Sequence, residues 1–64
     1  MMIISSKEGL KVYKIYDEAG RLMLSSSSLK GNKEKVKLST IQTGAYIITI
    51  ETEKQTVNKK LIKQ

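Results

Sequence analysis

Cysteine and histidine are both missing from this chain of 64 residues, and so are proline, phenylalanine and tryptophan. Without cysteine or histidine there are no disulfides, no thiolate nucleophile, none of the commonest metal ligands and no imidazole general base. A zero cysteine count fits any redox compartment and selects none. Tyr13, Tyr16 and Tyr46 are the only aromatic rings, so a core has to be built mainly from Ile, Leu and Val. No apolar run approaches the roughly 20 residues of a membrane-spanning helix. The start, Met1-Met2-Ile3-Ile4, is too brief for the core of a signal peptide. If the domain is exported, its export signal is expected on a larger precursor.

What is present is small and basic. A chain of this size buries only about 60% of the surface its unfolded form exposes, which leaves a thin stability margin. Twelve basic against six acidic side chains give a net charge of +6. Such a charge keeps a small domain soluble. It also suits a nucleic acid, an anionic glycolipid surface or a receptor with an acidic face, and charge alone does not separate these.

β-Branched residues and tyrosines alternate with polar ones in short runs, while helical periodicity is weak. A strand is expected over Leu10–Tyr16, with Tyr13 and Ile15 on one face and Lys14 and Tyr16 on the other. Leu10 and Val12 fall with the second pair, so a bulge near Val12 would turn all the apolar groups inward. Asp17-Glu18-Ala19-Gly20 suits a turn closed by a left-handed glycine. The chain then returns over Arg21–Ser25, with Leu22 and Leu24 expected to face together. Ser25–Ser28 reads as strand leading into loop, and Lys30-Gly31-Asn32-Lys33 as a turn. Lys35–Leu38 alternates as a short edge strand whose lysines face water. Ser39–Gly44 is a connection in which Ile41 plugs one end of the core.

Ala45–Glu51 reads as the central strand, with Tyr46, Ile48 and Ile50 on one face. Ala45, Ile47 and Thr49 occupy the other, and its apolar groups imply cover on part of that side. A turn at Thr52–Lys54 leads to a last strand over Gln55–Lys63, where Val57, Lys59 and Leu61 alternate with Asn58, Lys60 and Ile62. With a short strand at Met2–Ser5, six strands and no helix are expected, in an antiparallel sandwich or partly open barrel.

Three segments carry a family likeness. KIYDEAGRLML at Lys14–Leu24 resembles the strand, turn and Gly-Arg return of the type A C-terminal sorting domain of the type IX secretion system. VKLSTIQTGAYIITI resembles that family's short strand, connecting loop and Gly-x-Tyr strand, and KKLIK its closing Lys-x-x-Lys motif. Each fragment is weak alone; their order and spacing over Ser5–Lys63 make the combination specific. The resemblance implies an all-β, Ig-like antiparallel sandwich of six to seven short strands at the C-terminus of a secreted cargo protein. It further implies recognition by the outer-membrane secretion machinery, removal or exchange by a sortase-like surface peptidase, and joining of the cargo to an anionic lipopolysaccharide. Family members usually begin with a proline-bearing segment and a first strand, neither of which is seen here. One domain is therefore expected over residues 1–64, lacking that first strand through trimming or because the member is short. An uncovered edge could then pair with a second copy to give a homodimer.

Onto this sequence the motifs map as Gly20, Arg21, Gly44, Tyr46, Lys60 and Lys63. Gly20 and Arg21 read equally as a left-handed turn residue and a solvated neighbour. Tyr46 reads as a core ring with its hydroxyl at the rim. Lys60 and Lys63 are the recognition candidates, because burying an ammonium group without a partner is costly and a carboxylate-bearing receptor could read them as point charges. The plainer alternative is a solubilising terminal strand. Lys30, Lys33, Lys35 and Lys37 read as a solvated face.

Chemistry finds little support. Asp17 and Glu18 share a turn and Glu51 and Glu53 flank another, without the enclosure that raises a carboxylate pKa. The serine run has no histidine to activate it, and no glycine-rich phosphate loop or metal-ligand spacing exists. No enzyme activity and no cofactor are expected. Two other classes compete with the sorting signal. One is a structural or self-associating sandwich module of a surface protein. The other is a small basic barrel binding nucleic acid, which would need exposed rings on which bases stack; no nucleic-acid partner is expected.

Overall fold

The computed structural model describes residues 2–27 and 30–64. The expected end of the serine run, at Ser28, lies outside them. Six strands follow in order: β1 Met2–Ser5, β2 Leu10–Asp17, β3 Leu22–Ser26, β4 Lys33–Val36, β5 Gly44–Thr52 and β6 Thr56–Lys63. Among the described residues there is no helix. All pairings are antiparallel, and they form two separate sheets, β1-β4 and β3-β2-β5-β6. The architecture is a small sandwich, two strands over four, and not a barrel.

The core lies between the sheets. Tyr13 and Ile15 of β2 and Tyr46, Ile48 and Ile50 of β5 meet Ile4 of β1 and Val36 of β4. Ile15 and Val36 are fully buried. Each such aliphatic side chain contributes on the order of 1.5–3 kcal/mol by leaving water. Ile41 closes one end from the connection between β4 and β5, as expected.

Several details depart from expectation, and the reasons are local. The bulge near Val12 is present, as a register shift between Leu10 and Val12 against β5. It turns only Leu10 inward, opposite buried Thr52. Val12 stays opposite exposed Glu51, on the outer face. A second shift, between Ile15 and Tyr16 against β3, places Leu24 opposite Ile15 and Leu22 opposite Tyr16. The extra residue, Met23, therefore splits Leu22 and Leu24 between faces: Leu24 packs on the core and Leu22 faces outward. β4 begins at Lys33, two residues earlier than expected, because pairing with β1 extends to Ser5 opposite Lys33. It also ends sooner, at Val36, and the last strand starts at Thr56 rather than Gln55. β5 is central as expected, flanked by β2 and β6. Its second face, however, is not covered: Ile47 lies exposed, because no layer packs there.

Candidate functional site

Five of the six motif residues gather at one end of the four-stranded sheet, and strand register is the cause. Asp17 pairs with Tyr46, Tyr46 with Leu61, and Gly44 with Lys63. The turn after β2, the start of β5 and the end of β6 thus lie side by side. Asp17, Arg21, Gly44 and Tyr46 line one shallow depression there.

Asp17 organises the turn. Its Oδ1 accepts hydrogen bonds from the main-chain N–H groups of Ala19, at 2.9 Å, and Arg21, at 2.8 Å. Its Oδ2 accepts from Arg21 Nε at 2.8 Å, and the main chain closes the turn through Gly20 N–H to Asp17 O at 3.0 Å. Gly20 takes φ +83°, the left-handed conformation that only glycine adopts without cost. The Arg21 main-chain N–H, more than any other group, holds the Asp17 carboxyl below its ordinary value of 3.8. Desolvation opposes it as the next largest effect, and the Arg21 guanidinium and the Ala19 N–H add to the lowering. The Arg21 side chain is otherwise in water, so this ion pair is a brace for the turn more than a source of stability.

The connection between β4 and β5 is tied down from three directions. Ile41 N–H donates to Leu38 O at 3.2 Å. The Tyr46 hydroxyl, on a buried ring, donates to Gln42 O at 2.6 Å, and Lys63 Nζ donates to Ile41 O at 2.5 Å. A Cβ added at Gly44 would stand 3.8 Å from the Tyr46 ring, an ordinary contact. Tyr46 and Lys63, far apart in sequence, therefore hold the same loop, and that loop carries the plug Ile41.

The two recognition candidates are not brought together. Lys60 and Lys63 are three residues apart on a strand, so they point to opposite faces. Lys63 is half-buried and bonded to main chain. Lys60 is exposed opposite Ile47 on the outer face, and among the described residues it forms no ion pair. Its hydrogen bond gives Lys63 the partner that burial of an ammonium demands.

Tyr13 and Tyr46 lie in the core and Tyr16 is half-buried, so no fully exposed ring is offered for base stacking. Among the described residues no group of three or more acidic side chains is placed to hold a metal ion.

The family model described as secretion system C-terminal sorting domain matches residues 1–64, the whole chain. The chain belongs to the type IX C-terminal sorting domains. No curated protein and no solved structure matches the chain. A sorting domain directs the cargo N-terminal to it across the outer membrane, to the cell surface or the medium, through contact with the secretion machinery. The family is one of sorting signals, not of catalysts. In this sorting domain, sequence reasoning found the turn and the Gly-x-Tyr strand but missed what joins them. The carbonyls of Ile41 and Gln42 are main-chain groups, and no residue type announces them. It also missed an apolar row on the outer face, formed by Leu22, Tyr16 and Ile47 across three neighbouring strands. The signal is in the alternation of β5, which sets Ile47 on the face opposite Tyr46, Ile48 and Ile50.

Proposed function

We propose that the sorting domain acts as a folded outline whose motif-bearing end is read by the outer-membrane machinery. The single observation behind this is the convergence of Arg21, Gly44, Tyr46 and Lys63 on one end of the sheet. In this reading Gly20 and Arg21 shape one turn, Gly44 and Tyr46 brace the loop, and Lys63 anchors the chain end. Lys60, exposed and without a charged partner, is the direct contact for a carboxylate of the machinery. Two strands over four fit an Ig-like sandwich that is one strand smaller than the family pattern, as a single domain over residues 1–64. After passage, a sortase-like surface peptidase removes the domain or exchanges it for an anionic lipid anchor. A homodimer through an uncovered sheet edge is a further property of this reading.

The test fuses residues 1–64 to a reporter in a host with type IX secretion. Display of the reporter at the surface, with loss of the domain from the mature product, supports the reading. Changing Lys60 and Lys63 to alanine should abolish display. Intact fusion retained in the periplasm would reject the proposal.

A further inference from the structure

Four strand edges are unpaired in the sandwich, those of β1 and β4 in the small sheet and of β3 and β6 in the large one. Three of them are blunted against strand addition. β4 carries Lys33 and Lys35, β6 carries Lys59, Lys60 and Lys63, and β3 carries the bulge at Met23. β1, Met2-Ile3-Ile4-Ser5, has neither charge nor bulge. Its free edge also has main-chain groups to offer. Ser6 N–H donates to Asn32 O at 3.0 Å, and the two residues continue the register of β1 with β4. Bonded pairs alternate along an antiparallel ladder, so Ile4 and Met2 turn their main chain toward β4. Ile3 and Ser5 turn theirs outward, and the N–H and C=O of both face the free edge.

This edge stands over an open floor. β1 lines a hollow of about 260 Å³ together with Ile48 and Ile50 of β5 and Lys59 and Leu61 of β6. Leu61 is only half-covered, because the small sheet has no strand above β6. Lys59 pairs with buried Ile48 and so belongs to the same inner face. Among the described residues it forms no ion pair. No acidic residue stands on β1 or at the inner positions of β5 and β6, and Glu34, on the inner face of β4, lies on the far side of β1 opposite Ile4.

We propose that β1 is an acceptor edge for one extended strand of another polypeptide, apolar on its inward side and bearing a carboxylate for Lys59. Main-chain pairing with Ile3 and Ser5 supplies the attachment, and alternate side chains supply the selectivity. The added strand makes the small sheet three-stranded and covers Leu61. A second copy does not fit through its own β1. That strand would carry its own four-stranded sheet beneath it, into the space that β6 already fills. The occupant therefore comes as a lone strand with no layer beneath it, and Lys59 favours one that is acidic.

The test adds the peptide acetyl-Thr-Val-Thr-Glu-Thr-Val-Thr-amide, at millimolar concentration, to the whole 64-residue chain and follows amide exchange by NMR. Its valines and glutamate share one face of a strand. Exchange at Ile3 and Ser5 should slow at least about tenfold, as when an amide joins a ladder. Ile3→Pro removes an outward donor at a position that makes no bond to β4. It should abolish the protection of Ser5 and leave melting unchanged, and Ser5→Pro, read at Ile3, takes its place if that variant does not fold. Lys59→Glu should weaken binding about two- to fivefold and favour, by a similar factor, the peptide with lysine in place of glutamate. Unaltered exchange at Ile3 and Ser5 would overturn the proposal. So would binding that survives the proline variants, which places the peptide elsewhere, or that Lys59→Glu leaves unchanged. Dimers of the peptide-free chain that Ile3→Pro dissociates would also sink it, since the edge would then take a second copy. None of these readouts involves export, so the sorting function stands or falls separately.

Discussion

Gly20 pairs a left-handed backbone with open space: a Cβ built there meets nothing within 4 Å. The cost of Gly20→Ala is therefore conformational alone, about 1–2 kcal/mol. Thermal melts should show it as a fall of roughly 4–8 °C per kcal/mol in a domain of this size; an unchanged melting point would mean that the turn relaxes freely. Asp17 makes the same turn sensitive to acid. Its folded-state pKa is lowered, so its contribution is complete above the ordinary value of 3.8 and is lost as pH falls through the lowered folded value. Asp17→Asn should remove that part of the acid sensitivity, and parallel melting curves against pH below 3.8 in both proteins would contradict it. At the loop brace, Tyr46→Phe deletes one hydrogen bond to Gln42 O and should cost about 0.5–1.5 kcal/mol in urea unfolding. The turn was legible because Asp, Gly and Arg act over four residues of chain. The brace was not, because Tyr46 and Lys63 reach carbonyls whose positions depend on the fold.

At the level of the strand, alternation was read correctly wherever the pleat runs unbroken. β5 shows this best, with Tyr46, Ile48 and Ile50 inward and Ile47 outward. Where a bulge intervenes, period two loses its authority. Leu22 and Leu24 part company because Met23 is inserted between them, and nothing in Leu-Met-Leu marks that insertion. The two faces of β5 and β2 should answer differently to substitution. Ile15→Val, at a fully buried position, is expected to cost about 0.5–1.5 kcal/mol. Ile47→Ser, on the open face, should stay within about 0.5 kcal/mol of the parent in the same urea titration. A large loss at Ile47 would mean that its face is covered after all.

For the whole molecule, two strands over four leave little reserve. The short β1-β4 sheet covers the centre of the larger sheet and leaves the inner face of β6 half-covered at Val57 and Leu61. A tag need only be stable enough to present a shape, and the margin here is that of a small domain. Function at this scale is a matter of which surface faces the machinery. The motif end and Lys60 lie on neighbouring parts of one sheet, so residues that hold the shape and the residue proposed to touch the machinery occupy one region. Variants that weaken the shape should lower display and melting together, whereas Lys60→Ala should lower display alone. Measuring both quantities on the same set of proteins distinguishes them.

The all-β class, six strands, the Gly20 turn, the centrality of β5 and membership of the sorting-domain family all followed from residue types and their local spacing. These are properties of the chain over a few residues, governed by side-chain period, turn chemistry and motif order. Only the tertiary structure decided that Lys63 ties a loop while Lys60 stands free, that Leu22 and Leu24 separate, and that the outer face of the sheet stays bare. Each of those depends on register between strands distant in sequence, and register is settled by the packing of the whole core, not by any one segment.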